Sequence, residues 1–145
     1  MDLEYFVKYF NEHDGFSKHN GLKLLRMEPG YAEAEFTVSD ENLNFMGTIH
    51  GGVLFGLVDI VAGSSLAAYG KHCVTLSSNI TYVAAAKSGR VVATSKEVSH
   101  TRRTATYDIE VKDENGRTLC KAVTTMYIPN KPIEFDKDGN MVAIN

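Results

Sequence analysis

The spacing of hydrophobic positions predicts one amphipathic helix followed by a chain made mostly of strands. Residues 3–12 place four apolar side chains at the i, i+3, i+4 and i+7 positions of a helix, and Asp14-Gly15 is expected to end it. Segments rich in Val, Ile, Thr and Tyr, or alternating apolar and polar residues, predict six strands, at residues 22–27, 31–38, 73–83, 91–99, 104–112 and 117–128.

Residues 51–70 break this pattern, because the stretch is apolar nearly throughout and its single charged residue is Asp59. It predicts a helix buried on several sides. One such helix among six strands indicates an α+β fold in which an antiparallel sheet covers a central helix. The stretch is long enough to span a bilayer, but its central carboxylate opposes insertion by roughly 2.5–3.5 kcal/mol. Strands also follow at once, so we expect no membrane association.

On a helical wheel, Asp59 shares one narrow stripe with the smallest residues of this helix, which are Gly52, Gly56, Gly63 and Ala67. A glycine inside a helix costs roughly 0.5–1 kcal/mol relative to alanine. The stripe therefore indicates a close approach by another backbone or by a slender ligand. Asp59 is then either a structural carboxylate, which caps a backbone or pairs with a lysine, or a catalytic base. Composition and spacing leave both roles open.

Composition and charge narrow the functional classes. A length of 145 residues fits one domain over residues 1–145. The net charge of −3 gives no reason to expect nucleic-acid binding. Within it, residues 20–128 are the expected core and residues 129–145 a C-terminal extension. The two cysteines form no CxxC pair, and the acidic N-terminus lacks the features of a signal peptide. We therefore expect a cytoplasmic protein.

Four other kinds of site are not favoured. Cys73 follows His72, but adjacent residues on a strand point to opposite faces, so a thiol nucleophile is not expected. The histidines lack metal-ligand spacing, and no glycine-rich phosphate loop is present. Ser64 and Ser65 lack the Gly-x-Ser-x-Gly elbow of serine hydrolases. We expect neither a bound metal nor a resident cofactor.

Residues 50–59 read HGGVLFGLVD. This resembles the signature of hotdog-fold thioesterases of the PaaI-like and acyl-CoA thioesterase 13 types, in which HGG is followed after six residues by an aspartate. Asn44 and the segments 79–82 and 86–89 also match, and the resemblance covers roughly residues 20–128. It implies the hotdog fold and the hydrolysis of an acyl-CoA or aryl-acyl-CoA thioester to free acid and CoA.

The resemblance also implies catalytic roles. Gly51, at the helix N-terminus, would donate its N–H to the thioester carbonyl, where free amides and the helix dipole favour an oxyanion. Asp59 would activate a water molecule or attack the carbonyl itself. Asn44 would help to hold the carbonyl or the water, and His50 would shape the loop. Thr75 takes the position of a serine that assists the water in some members, if the preceding loop is two residues shorter.

A second set of residues is implied to bind the substrate. Gly52 would contact it beside the catalytic glycine, and the phosphates of CoA call for a basic rim. Arg102 and Arg103 lie in a predicted turn that resembles the nucleotide-contacting loop of the family, and Lys87 is a further candidate. An exposed hairpin with solvated charges would explain the same arginines equally well.

Gly51 and Asp59 are eight residues apart on one predicted helix, hence about 12 Å along its axis. They cannot both reach one thioester carbon from the same helix. We therefore expect a two-fold dimer with two shared sites, which the family commonly pairs into tetramers.

The main alternative function is a non-catalytic module of the same fold that binds or senses acyl-CoA. A hotdog dehydratase is disfavoured, because its histidine-plus-carboxylate motif is absent from the sequence. The acyl group is left open by the sequence, with aryl, short-chain and medium-chain substrates all compatible.

Overall fold

One long helix, α3 (Gly51–Ala67), lies against a six-stranded antiparallel sheet in the computed structural model, which describes residues 1–144. Asn145, the last residue of the predicted C-terminal extension, lies outside the described residues. The strands are β1 (Lys23–Glu28), β2 (Tyr31–Thr37), β3 (Val74–Tyr82), β4 (Arg90–His100), β5 (Thr104–Asp113) and β6 (Thr118–Tyr127). Their order is β1-β2-β4-β5-β6-β3. The predicted α+β architecture is confirmed.

The apolar composition of α3 is explained by burial on most of its sides. Five of its apolar side chains are completely inaccessible to solvent: Leu57, Val58, Val61, Ala62 and Leu66. Burying a side chain of the size of Val or Leu stabilises a fold by about 1.5–3 kcal/mol. Buried alanines on the strands allow the helix to lie close to the sheet: Ala32, Ala34, Ala93 and Ala105. No helix within residues 1–144 combines the length and the hydropathy needed to cross a membrane.

The N-terminal region contains one helix more than the sequence predicted. α1 (Leu3–His13) is followed directly by α2 (Gly15–Asn20). The carboxylate of Asp14 accepts the Ser17 N–H at 2.9 Å, so the residue expected only to end the first helix also caps the second. Gly21, with a φ of +70°, ends α2 in the left-handed conformation.

β3 lies at the edge of the sheet, and within the described chain it pairs with β6 alone. None of its nine residues is buried. Its exposed side chains include large apolar ones, with Val74 52%, Leu76 58% and Tyr82 49% accessible. A long, apolar, open edge of this kind is a template for pairing with a further strand.

The residues after β6 return to the N-terminal helix. Residues 132–142, which we name the C-terminal strap, fold back on themselves through a bridge between Phe135 and Met141. The ring of Phe135 packs edge-on against those of Tyr5 and Tyr9, with centroids 5.1 and 5.2 Å apart. The strap therefore packs against α1.

Candidate active site

Asp59 projects from the middle of α3 toward the beginning of β3. Its Oδ1 accepts a hydrogen bond from the Thr75 hydroxyl at 2.6 Å. Within residues 1–144 the carboxylate has no ion-pair partner and accepts no backbone N–H, and its side chain is exposed. The structural roles considered for Asp59, pairing with a lysine or capping a backbone, are therefore absent from the described chain. The second carboxylate oxygen is available to a water molecule.

A cleft of about 750 Å³ opens beside this carboxylate. All five residues of the small stripe line it: Gly52, Gly56, Asp59, Gly63 and Ala67. Aromatic side chains of α1 and α2 form a facing wall: Phe6, Phe10 and Phe16. The remaining lining includes residues 71–73 together with Ile133 and Met141 of the strap. The stripe therefore borders open space in an apolar cleft, as its small side chains suggested.

The absence of a side chain has a different effect at two positions of the stripe, Gly56 and Gly63. A Cβ on Gly56 would lie 2.5 Å from the ring of Phe16, so glycine there permits the close approach of α2. A Cβ on Gly63 would meet nothing nearer than a methyl group 3.9 Å away, on Met126. Gly63 thus adds width to the cleft rather than allowing a contact.

The N-terminus of α3 presents a free amide. The Nδ1 atom of His50 accepts the Gly52 N–H at 2.8 Å and so caps the helix. Because Nδ1 is the acceptor, a neutral His50 carries its proton on Nε2. The Gly51 N–H has no hydrogen-bond partner among residues 1–144. Such an amide, at the positive end of the helix dipole, suits a developing negative charge on oxygen.

Gly51 and Asp59 open onto different parts of the surface. Gly51 lines a smaller depression of about 370 Å³, formed with Leu54, Tyr82 and residues 83–86. This depression and the Asp59 cleft have no lining residue in common. A single chain therefore does not bring the two main candidate catalytic groups together, in agreement with their spacing along the helix.

Asn44 is occupied within its own loop. Its Oδ1 accepts the N–H groups of Met46 and Thr48 at 2.9 and 3.2 Å, and its Nδ2 donates to the Thr48 hydroxyl at 2.9 Å. The side chain therefore rigidifies the turn that leads into α3. Asn44 does not line the Asp59 cleft, and its contact with a substrate stays a prediction.

The three basic candidates lie at opposite ends of the sheet. Arg102 and Arg103 occupy the exposed turn between β4 and β5, where a guanidinium N–H of Arg103 donates to the Tyr127 hydroxyl at 3.2 Å. Lys87 is exposed in the loop between β3 and β4, at the opposite end of the sheet. One chain therefore does not gather these residues into a single basic patch.

His72 and Cys73 both line the Asp59 cleft. Because β3 begins at Val74, the strand alternation that was expected to separate them does not apply to these two residues. The thiol is still a poor nucleophile. Burial, with a smaller contribution from the charge of Asp59, raises the pKa of Cys73 to about 12.

We therefore expect Cys73→Ala to leave thioester turnover unchanged from pH 7 to pH 9. A thiol with a pKa near 12 is protonated across this range, and only a thiolate could attack a carbonyl. Initial rates of the variant and the unmodified chain at several pH values measure this. A loss of turnover in Cys73→Ala, or inactivation by iodoacetamide that the same substitution prevents, would contradict it.

Most of the cleft wall was not found by sequence reasoning. The aromatic side chains of α1 showed the spacing of a helix, which fixes their face but not their partner. Ile133 and Met141 lie in a segment without strong periodicity, far from Asp59 along the chain. The apolar residues of the predicted extension were the one available signal, because such residues need a surface to pack against.

Relatives in sequence share the esterase or thioesterase name. A protein of Archaeoglobus fulgidus whose name includes the word esterase is 34% identical over 130 residues, 89% of this chain and 84% of its own length. The acyl-coenzyme A thioesterase PaaI of Escherichia coli is 28% identical, over 75% of this chain and 79% of that protein. Acyl-coenzyme A thioesterase 13 of Pongo abelii is 27% identical, over 90% and 96% of the two chains.

Solved structures of two of these kinds of protein share the fold of this chain. The E. coli PaaI protein superposes with a TM-score of 0.82, at 24% identity, over 88% of this chain and 93% of that one. A Streptococcus pneumoniae protein described as a hypothetical thioesterase, solved with coenzyme A, has a TM-score of 0.71 at 31% identity, covering 74% and 88%. These similarities confirm the predicted hotdog fold.

The sequence pattern of the thioesterase superfamily matches residues 46–120, which include the helix that carries Asp59 and the strands β3, β4 and β5. The predicted resemblance and the predicted class of enzyme, a thioester hydrolase, are therefore confirmed at the level of the family. The chain belongs to the thioesterase superfamily.

Proposed function

We propose that this protein hydrolyses acyl-CoA thioesters to free acid and CoA, at a site that two copies of the chain form together. The observation that carries the proposal is the Asp59 carboxylate, which bonds to the Thr75 hydroxyl and faces an apolar cleft. A carboxylate beside an apolar cleft can activate a water molecule next to the bound acyl group of a thioester. The names of the E. coli and Pongo abelii relatives support acyl-CoA as the substrate class.

In the proposed reaction, Asp59 takes a proton from a water molecule whose oxygen attacks the thioester carbon. Thr75 donates to one carboxylate oxygen and can accept from the same water, which orients it. The Gly51 N–H of the second copy stabilises the oxyanion. The carbon–sulfur bond then breaks, and Asp59 returns its proton to the departing thiolate. An attack by the carboxylate itself, through an anhydride that water then cleaves, gives the same products.

Variants of the S. pneumoniae protein support the pairing of Asp59 with Thr75. Two further structures of that protein replace an aspartate and a threonine by alanine, and these two positions are sixteen residues apart. Asp59 and Thr75 have the same separation. Because that protein is about 30% identical to this chain, the spacing supports the register assigned to Thr75.

The strand β3 provides a geometric argument for shared sites. Gly51 is tied to its end, because the Tyr82 hydroxyl donates to the Gly51 carbonyl at 2.8 Å. Asp59 is tied to its beginning through Thr75. If the open edges of two β3 strands pair antiparallel, the end of one strand lies beside the beginning of the other. Each Gly51 then approaches the Asp59 of the second copy.

The same antiparallel pairing would bring basic residues of the two copies together at the CoA site. Lys87 follows the last residue of β3, whereas Arg102 and Arg103 lie at the opposite end of the sheet, where β3 begins. Antiparallel association would bring the lysine of one copy toward the arginines of the other, giving a basic rim for the phosphates. Further association of such dimers into tetramers is compatible with this arrangement.

The proposal assigns the chemistry to side chains and backbone, with CoA as part of the substrate and no resident cofactor. It places the reaction in the cytoplasm, which the two unpaired cysteines, Cys73 and Cys120, support. No nucleic acid or membrane takes part in it.

Thiol release from a panel of acyl-CoAs tests the proposed function. The purified protein is expected to release CoA with steady-state kinetics from at least one aryl, short-chain or medium-chain ester. Equilibrium binding to the same esters is measured in parallel. Binding without any release of thiol would reject hydrolysis in favour of the acyl-CoA binding module.

We expect the double substitution Arg102→Ala plus Arg103→Ala to weaken the affinity for acyl-CoA by about tenfold or more, because one charge-assisted contact to phosphate contributes about 1.5–3 kcal/mol. Affinity for a short thioester without the nucleotide is expected to stay the same. KM values for the two substrates measure the difference. Lys8→Ala plus Lys18→Ala removes the same charge from exposed positions on α1 and α2 and serves as a control. Equal weakening for both substrates would contradict a CoA-binding role.

A further inference from the structure

The C-terminal strap closes one end of the Asp59 cleft. Ile133, which is 9% accessible, and Met141 both line the cleft and pack against the hydrophobic core. Pro132 forms a bridge with Lys71, and the Ile133 N–H donates to the Gly70 carbonyl at 2.9 Å. The strap is thereby attached to the segment that follows α3, at the end of the helix opposite to Gly51.

Asp59 divides the cleft into two halves. Toward the N-terminus of α3 the lining includes Phe55, which is 36% accessible, and Phe16, which is 54% accessible. Toward the C-terminus the floor is formed by Gly63 and Ala67, and the strap lies beyond. The distance from Asp59 to Ala67 along the helix axis is about 12 Å.

The half next to the strap has the character of an acyl pocket. Its floor lacks long side chains, and Phe6 and Phe10 supply apolar surface from α1. His72 also lines it, and burial together with the charge of Lys131 lowers the pKa of that imidazole, which favours its neutral form at pH 7. A neutral His72 adds no charge beside an apolar chain, and Lys71, which bridges to Pro132, is the cationic lining residue at this end.

We infer that the substrate's acyl chain extends from Asp59 toward Ala67, and that Ile133 and Met141 set the longest chain that fits. This inference rests on the proposed function and deepens it, because it names the substrate class as esters of apolar acids whose chain length the cleft limits. A chain long enough to reach the strap must displace it or leave the cleft. The strap residues are therefore specificity-determining residues for the reaction.

Hydrogen bonds hold the strap against α1. The Met141 N–H donates to the Tyr9 hydroxyl at 3.1 Å, and the Tyr5 hydroxyl donates to the Gly139 carbonyl at 2.8 Å. A Cβ at Gly139, whose φ is +81°, would lie 2.5 Å from the Tyr5 hydroxyl, so the two segments are in close contact. These bonds anchor both the tip and the returning arm of the strap to α1.

Shortening the two side chains tests the inference. Met141→Ala and Ile133→Ala are each expected to raise kcat/KM for long-chain relative to short-chain acyl-CoAs by about tenfold or more, as for other changes of pocket length. The ratio of kcat/KM for tetradecanoyl-CoA to that for hexanoyl-CoA measures this. Val142→Ala, in the same strap but with an exposed side chain, is the matched control and should leave the ratio unchanged. Thermal unfolding shows whether each variant is folded.

A second readout separates this inference from the proposed function. In an Asp59→Asn background, calorimetric binding of the same two esters reports on the pocket without turnover. A shift of affinity toward the longer ester in Met141→Ala or Ile133→Ala supports the strap even if the unmodified chain releases no thiol. An unchanged chain-length preference in both folded variants overturns the inference. So does an equal shift in Val142→Ala, or a shift in Phe16→Ala alone, which would place the chain in the other half.

Discussion

Asp59→Asn is expected to lower the rate of acyl-CoA hydrolysis by about 10²–10⁴-fold while the protein remains folded. The amide has nearly the same shape as the carboxylate and can still accept the Thr75 hydroxyl, but it cannot take a proton from water. Because the Asp59 side chain is exposed rather than packed in the core, the substitution leaves the fold intact.

Steady-state thiol release and equilibrium binding, measured on the same preparation, test this expectation. Affinity for acyl-CoA should be largely retained, so that the loss falls on kcat. Asp14→Asn is a matched control: Asp14 lines the same cleft and caps α2, and asparagine caps helices about as well as aspartate. Unchanged turnover in Asp59→Asn would remove this carboxylate from the mechanism.

Gly51→Pro is expected to lower kcat by about 10²–10³-fold, because proline removes the one amide assigned to the oxyanion. Gly51 is the first residue of α3, a position at which proline fits a helix well. The preceding residue, His50, has φ −64° and ψ 132°, a ψ that residues before proline favour. The backbone is therefore compatible with the substitution.

Gly51→Ala separates the loss of the N–H from the added side chain. A Cβ at this position lies 3.0 Å from the Tyr82 ring and hydroxyl, and the half-exposed tyrosine can move to accommodate it. Alanine keeps the amide, so most activity should remain. If alanine and proline reduce kcat equally, crowding against Tyr82 explains the loss and the oxyanion role is wrong.

Combining the two inactive variants tests the shared site. A mixed dimer of Gly51→Pro with Asp59→Asn would contain one site with both defects and one with neither. Co-expression should therefore restore about a quarter of the activity of the unmodified protein, given random pairing. No recovery in isolated mixed dimers would show that both groups act from one chain.

The sequence predicted the main elements closely, because their signals are local. The apolar run around Asp59 predicted the central helix to within three residues of its end at Ala67, and the alternation in residues 31–38 identified β2. The short helix α2 was missed since Asp14 carries the signals of both a helix end and a helix start. A single residue with two capping roles cannot be separated by pattern alone.

The site was only partly predictable, for a different reason. The spacing of Gly51 and Asp59 along one helix is a property of the sequence, and it correctly indicated that one chain separates them. The contact of Ile133 with the cleft depends on how a segment some seventy residues further on packs against α1 and α3. Contacts of such long range leave no periodic trace, so the cleft wall became visible only in the folded chain.

The open edge of β3 links solubility to assembly. A newly made chain that has folded alone exposes the outward-facing backbone groups of a nine-residue edge strand, with apolar side chains, to any other extended segment. Pairing with β3 of a second copy would satisfy those backbone groups before other polypeptides bind to them. Substitutions that weaken the pairing would then first appear as poor recovery of soluble protein, even where every catalytic group is intact.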